Sequence, residues 1–288
     1  MIAFLAQGGL GNQLFQYAAA RRLADKLGTE LVLDPYWFSH PLPGETPRPL
    51  ELDKYPVKLR VADVVEQRRW RRMRGRLGRY LSLFASIRLI RERGFGYNSS
   101  VNDAKADSYL LGFWQSEKYF ADIRQALLRE LTPLAPPSPL DSQLLREMEP
   151  GDAICVHVRR GDYISSSSAS SFHGVCSLDY YERAIKHVIE RVAAPNLFIF
   201  SDDPEWTRAN LDIHGCPARY VNHNTAPDAF QDLRLMNHCK HHVIANSSFS
   251  WWGAWLCTHP GQIVVAPAQW FLADRPTPDL IPPDWIRL

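Results

Sequence analysis

The 288-residue chain reads as an α/β protein built on parallel sheets. Three observations predict this. Residues 154–163, ICVHVRRGDY, form an apolar strand-like run stopped by a Gly-Asp turn. Residues 1–34 run strand, Gly-rich turn, helix, strand, which is the order of a βαβ unit. The length suffices for two cores, and a Pro-rich connector at 132–139, TPLAPPSP, divides the chain. The expected parts are a first domain over 1–139, a second over 140–266, and a tail rich in Pro and Trp over 267–288 that packs across the domain interface.

Residues 1–7 are the first predicted strand. Gly8-Gly9-Leu10-Gly11-Asn12-Gln13 then opens a helix over 13–28, where Leu14, Tyr17, Ala18, Leu23 and Leu27 recur at helical spacing. ELVLD at 30–34 is the second strand. Gly9-x-Gly11 is present, but Leu14 stands where a dinucleotide fingerprint has its third glycine, so the NAD fingerprint is incomplete. Two readings of the turn stay open. It is a plain turn with a polar cap, or its free N–H groups meet an anion or a sugar hydroxyl, with Asn12 and Gln13 adding amides.

Charge is concentrated in one segment. Residues 58–93 hold 12 of the 33 basic side chains and 3 of the 31 acidic ones. Within this basic helical insert, Trp70, Met73, Leu77, Leu81 and Phe84 fall along one helical face. Arg68, Arg69, Arg71, Arg72, Arg74, Arg76 and Arg79 surround it. A solvated helix face, an anionic membrane surface and nucleic acid are the three partners such a face allows. No nucleic-acid module accompanies it, so no nucleic acid is expected.

Further on, 108–114 is a strand, 117–131 a helix and 140–148 a helix leading into the 154–160 strand. Side chains alternate along a strand, so His157 and Arg159 share a face and Arg160 takes the other. An open parallel sheet binds ligands at its carboxyl edge. Two guanidiniums there suit a diphosphate, being permanently charged and forked; an internal Arg–Asp network is the other reading. A Ser-rich loop, 165–171, follows. The helix at 180–192 leads to the strand NLFIFS (196–201), then Asp202-Asp203-Pro204 and a helix over 205–211. The two aspartates permit a metal, or simply a turn with a helix N-cap. A helix over 228–240 and a strand over 241–245 precede NSSFS (246–250). Those serines and N–H groups sit where a phosphate would bind, at the start of a helix over 251–256. Trp251, Trp252 and Trp255 read as core, with sugar stacking the alternative, and 262–266 is the last strand.

No apolar run is long enough to span a bilayer, and residues 1–7 read as a strand rather than a signal peptide. The five cysteines contain no CxxC and read as reduced thiols, Cys155 in the core. The expected location is the cytoplasm, with the basic helix allowing peripheral contact with the inner face of the plasma membrane.

Four blocks carry a resemblance: GGLGNQLFQYA (8–18), HVRRGDY (157–163), FSDDPEW (200–206) and NSSFSWWGAWL (246–256). In that order they resemble the motifs of the α-1,2-fucosyltransferases of glycosyltransferase family 11, and DLRLMNHCKH (232–241) is similar as well. The resemblance implies a GT-B fold, two Rossmann-like domains facing across a cleft, in a soluble bacterial member. It implies inverting transfer of L-fucose from GDP-β-L-fucose to O2 of a terminal galactose, with lactose or N-acetyllactosamine as acceptors, in surface polysaccharide synthesis; a related GDP-sugar glycosyltransferase with another linkage or acceptor, or a non-catalytic nucleotide-sugar or glycan-binding protein, is the alternative. No metal or other cofactor is expected.

On that reading Arg159 binds and stabilises the departing β-phosphate, and His157 and Asp162 are the candidates for general base. The donor would be held by Gly9, Asn12, Gln13, Arg159, Arg160, Asp202, Asp232, Asn246, Ser247, Ser248 and Phe249. Asp232 is placed on guanine, Phe249 against base or ribose, and Asn12 reaches over from the first domain.

Overall fold

The computed structural model describes residues 1–40, 47–75, 87–161, 174–272 and 275–288. The chain divides into two compact units. One comprises Met1–Thr132 with Pro276–Leu280, the other Pro133–Arg275 with Ile281–Leu288. The division falls ahead of the expected 139/140. Arg234 reaches back to the carbonyls of Pro133 and Ala135, and Gln231 Nε2 donates to Pro136 O at 2.9 Å, so the connector is tied to the second unit.

In the first unit, five parallel strands lie in the order β3-β2-β1-β5-β4. They are β1 (Ile2–Leu5), β2 (Leu31–Asp34), β3 (Arg60–Val61), β4 (Arg88–Arg91) and β5 (Ser108–Leu111). The first helix, α1 (Leu10–Leu27), begins at the Gly turn and ends at Gly28, whose φ of 58° is the left-handed C-cap that suits glycine. A four-residue helix, α2 (Tyr36–Ser39), follows β2.

The expected basic helical insert over 58–93 needs correction. Two of the sheet's strands, β3 and β4, come from this segment, and the described helix, α3, covers only Val64–Arg74. Short edge strands of two to four residues leave little periodicity to read. Trp70 and Met73 are buried as expected; Arg76, Leu77, Arg79, Leu81 and Phe84 lie outside the described residues. The region 117–131 is likewise not one helix: two 3-10 turns precede α4 (Arg124–Glu130).

The second unit holds six parallel strands in the order β11-β10-β9-β6-β7-β8. They are β6 (Asp152–Val158), β7 (Pro195–Ser201), β8 (Ala218–Val221), β9 (His241–Val243), β10 (Val264–Ala266) and β11 (Ile286–Arg287). Its helices are α5 (Pro139–Met148), α6 (Leu178–Ile189), α7 (Pro204–Asn210), α8 (Ala229–His238) and α9 (Ser248–Trp255). Strand β6 is covered on both faces, which is why its sequence is a continuous apolar run. Ile154, Val156 and Val158 pack on Tyr180, Tyr181, Ala184, Ile185 and Val188 of α6. Ala153 and Cys155 pack on the other side against Met148, Leu235, Met236 and Cys239. Each fully buried aliphatic side chain here contributes about 1.5–3 kcal/mol.

Trp251, Trp252 and Trp255 are buried and in mutual ring contact, so they are core. All five cysteines are free. No helix among the described residues is long and apolar enough to cross a membrane.

Candidate active site

Strand β6 lies between β7 and β9 with all three parallel, so their carboxyl ends form one edge. That edge gathers His157 near the end of β6, Arg159 and Arg160 after it, Asp202 and Asp203 after β7, and Asn246–Phe249 after β9. The crevice outside such an edge is where open α/β sheets bind ligands.

Asp202 organises the β6 turn. Its Oδ1 accepts the backbone N–H groups of Arg160 at 2.8 Å and Gly161 at 3.0 Å. Its Oδ2 faces Arg159 Nε at 3.2 Å. Burial works against the charge, but the Arg159 guanidinium and the two N–H donors hold the carboxyl below the usual carboxylate range. Gly161 lets the turn pack closely on Asp202: a Cβ there would stand 3.2 Å from Asp202 O, tighter than ordinary van der Waals contact. Asp202 was expected to touch the donor; the structure commits both of its oxygens to the turn that carries the arginines.

The neighbouring Asp203 is the N-cap of α7, its side chain accepting Trp206 N at 3.3 Å. Arg160 turns toward that helix. Its Nε lies 3.6 Å from Asp203 Oδ2, and its guanidinium sits 3.9 Å from the Trp206 ring centroid. The Arg–Asp network is thus the reading seen here, and it holds two cations at the sheet's carboxyl edge.

His157 is buried at the end of β6, 6.0 Å from the Phe249 ring. Burial first, and the Arg159 charge second, push its imidazole well below the ordinary range, so the ring is neutral at pH 7. Such a group is a weak proton acceptor, which argues against His157 as general base. Its Nδ1 is buried with no hydrogen-bond partner among the described residues. The other candidate base, Asp162, and the Ser165–Ser171 loop lie outside the described residues.

At the start of α9, Ser247 is the N-cap and accepts Phe249 N at 3.3 Å. Ser248 and Phe249 are half-buried on the first turn, where unsatisfied N–H groups favour an anion. Asn246 differs from expectation. It is buried, with Nδ2 donating to Gly174 O and Trp270 O, both at 3.2 Å, so its amide braces two chain segments rather than facing a ligand.

Asp232 lies in the first turn of α8, and a helix entering from the end of β8 starts on the carboxyl side of the sheet. Asn224 Nδ2 donates to Asp232 Oδ1 at 2.8 Å and to Asp141 Oδ1 at 3.1 Å, and His223 Nε2 lies 2.9 Å from Asp141 Oδ1. Burial raises the Asp232 carboxyl to about 6, opposed by the Asn224 hydrogen bond and the His223 charge. Gly253 seats α8 on α9, since a Cβ there would stand 2.9 Å from Met236 Cβ.

Gly9, Asn12 and Gln13 belong to the first unit. Gly9 is the N-cap of α1 without a side-chain cap. The preceding Gly8 has φ 77°, and a Cβ on it would meet Asn12 Nδ2 at 2.6 Å. Asn12 Oδ1 accepts Gln115 Nε2 at 2.8 Å. Gln13 is a correction. Its Nε2 donates to Gly8 O and Pro49 O, and its Oε1 accepts Glu51 N, all at 2.9 Å, so the buried amide clamps the 49–51 strap onto the turn. Glu51 then caps Leu10 N, and burial raises its carboxyl to about 7.

The residues missed in the sequence are those that hold others: Asn224, His223 and Asp141 around Asp232, Trp206 under Arg160, Gln115 on Asn12, and Glu51 on α1. Only Trp206 stood inside a recognised motif.

Comparison with known proteins places this geometry. The family model for glycosyl transferase family 11 matches residues 90–288. The chain is 32% identical to the α-1,2-colitosyltransferase of Escherichia coli, over all of this chain and 98% of that one. It is also 32% identical to the O-antigen biosynthesis glycosyltransferase WbnK of Escherichia coli, over 98% of each. In fold it is similar to the NodZ α-1,6-fucosyltransferase soaked with GDP-fucose, with a TM-score of 0.53 at 18% identity over 92% of this chain and 94% of that one. The fold is of the GT-B class, and the chain is a bacterial-type member of glycosyl transferase family 11.

Proposed function

We propose that the protein transfers L-fucose from GDP-β-L-fucose to O2 of a terminal galactose, inverting the anomeric centre, in the building of a surface polysaccharide. The observation that carries the reading is Arg159, held by Asp202 at the carboxyl edge of β6 beside the start of α9. The bond from fucose C1 to the β-phosphate oxygen breaks as the galactose O2 forms its bond to C1 from the opposite face. Negative charge grows on the departing GDP. Arg159 and the Ser247–Ser248 helix start are the groups that would neutralise it, with no divalent cation required. Arg160 adds a second positive charge nearby. Asp232 would accept the two N–H donors on the guanine edge, and Phe249 would line the base or ribose. The galactose hydroxyl gives up its proton as it attacks, with Asp162 the proposed acceptor. Lactose and N-acetyllactosamine are the simplest acceptors of this class.

A second reading concerns the donor alone. A relative 32% identical over the whole chain is an α-1,2-colitosyltransferase, and colitose is L-fucose without its 3-hydroxyl. The same 1,2-transfer from GDP-colitose would use the same phosphate and guanine contacts.

Arg159→Ala tests the shared core of both readings. Turnover should fall by about 10²–10³-fold while the protein stays folded and still binds GDP. Unchanged turnover would remove the phosphate role from Arg159.

A further inference from the structure

The basic segment is not used by the reading above, and the structure gives its outer face a chemistry of its own. On α3 the inward side is accounted for. Trp70 and Met73 are buried, Arg74 pairs with Asp34, and the N-cap Asp63 and first-turn Glu66 are spent on their capping box, with Glu66 also paired to Arg60. The outward side carries Val64, Val65, Arg68, Arg69, Arg71 and Arg72, all exposed. Among the described residues, Arg68, Arg71 and Arg72 have no acidic partner. Val64 is 60% and Val65 73% exposed, and Val61, on the adjoining edge strand β3, is 50% exposed. Three exposed large apolar side chains thus lie within five residues of sequence at the start of a cationic helix face.

We propose that this face of α3 docks on an anionic lipid bilayer. The valines would enter the interface at the start of the helix while Arg68, Arg71 and Arg72 reach lipid phosphates along the next two turns. A solvated face explains the arginines but not three valines in water. A nucleic acid backbone also matches the charge but offers nothing to the valines, whereas a bilayer surface supplies anionic groups above an apolar layer. The positive charge is local: outside 58–93 acidic residues outnumber basic ones, so orientation is set by this segment.

Flotation of the full-length protein with phosphatidylcholine vesicles, with and without phosphatidylglycerol, tests the proposal. Binding should require phosphatidylglycerol and weaken with salt. The triple variant Arg68→Gln, Arg71→Gln, Arg72→Gln should lose about hundredfold in partitioning, and Val61→Ser, Val64→Ser, Val65→Ser should lose about tenfold or more without changing net charge. These side chains are exposed, so circular dichroism and GDP binding of both variants should match wild type. No binding to anionic vesicles, undiminished binding by either triple variant, or arginine-dependent binding to duplex DNA in place of vesicles would overturn it.

Discussion

Asp202 divides its carboxylate between Arg159 and the turn that carries it. One oxygen lies 3.2 Å from Arg159 Nε, and the other accepts the N–H groups of Arg160 and Gly161. The guanidinium is therefore fixed by a residue from the next strand, not by its own backbone alone.

Asp202→Asn should keep part of the hydrogen bonding but lose the ion pair. A hydrogen bond to a charged group contributes about 1.5–3 kcal/mol, so kcat should fall by about tenfold to hundredfold with GDP affinity changed much less. Steady-state kinetics alongside GDP titration calorimetry check this. Equal losses in kcat and GDP affinity would mean that Asp202 holds the ground state rather than the departing phosphate.

On the proposed guanine contact, the Asp232 carboxyl, raised to about 6 by burial, should make donor binding pH-dependent. Guanine N–H groups need the ionised form, so the nucleotide shifts the equilibrium toward it. Affinity should be flat above pH 7 and decline toward tenfold per pH unit below about 6. Because the phosphate itself titrates in this range, the Asp232→Asn variant is the reference. It should bind GDP about tenfold to hundredfold more weakly and lose the part of the pH dependence that belongs to the carboxyl. Parallel pH profiles in the two proteins would contradict the guanine assignment.

Glu51 gives a stability prediction of opposite sign to most carboxylates. Its folded-state value lies above the unfolded one, 4.5 raised to about 7, so the native state holds the proton more tightly. Stability from this group is present below pH 4.5 and is lost as pH rises to about 7. Glu51→Gln keeps an acceptor for Leu10 N and removes the buried charge, and should stabilise the protein at pH 8 by up to about 3 kcal/mol. Denaturant titrations at pH 5 and pH 8 check it; a destabilised variant at pH 8 would show that the ionised carboxylate is needed at α1.

Gly253 seats α8 against α9, with Met236 Cβ 2.9 Å from where a Cβ would be. Gly253→Leu should destabilise by about 1–3 kcal/mol through overpacking. It should also weaken GDP binding, because the two helices carry Asp232 and Ser247. Thermal unfolding and GDP titration together read both effects.

The sequence showed most plainly what burial dictates. Strand β6 is covered on both faces and wrote a continuous apolar run, and Asp203-Pro204 and Ser247 wrote recognisable helix starts. Strands β3 and β11, two residues each, have no period to detect and were missed. The site was legible as residue types at a sheet edge, because the turns after β6 and β9 announce themselves with Gly, Asp and Ser. Which way a polar side chain faces was not legible. Gln13 and Asn246 stand in motifs that suit ligands, yet their amides are engaged by backbone groups, most of them more than twenty residues away. Asp202 could not be told from Asp203 until the neighbouring strands β6 and β7 set one under the arginine turn and the other on α7.

The most direct measurement of the central claim is product linkage. Purified protein is supplied with GDP-fucose and lactose or N-acetyllactosamine, with and without EDTA, and the product is analysed by NMR. The account predicts an α-linked fucose on galactose O2, formed at the same rate in EDTA. Transfer to another position, or transfer abolished by EDTA and restored by a divalent cation, would contradict it.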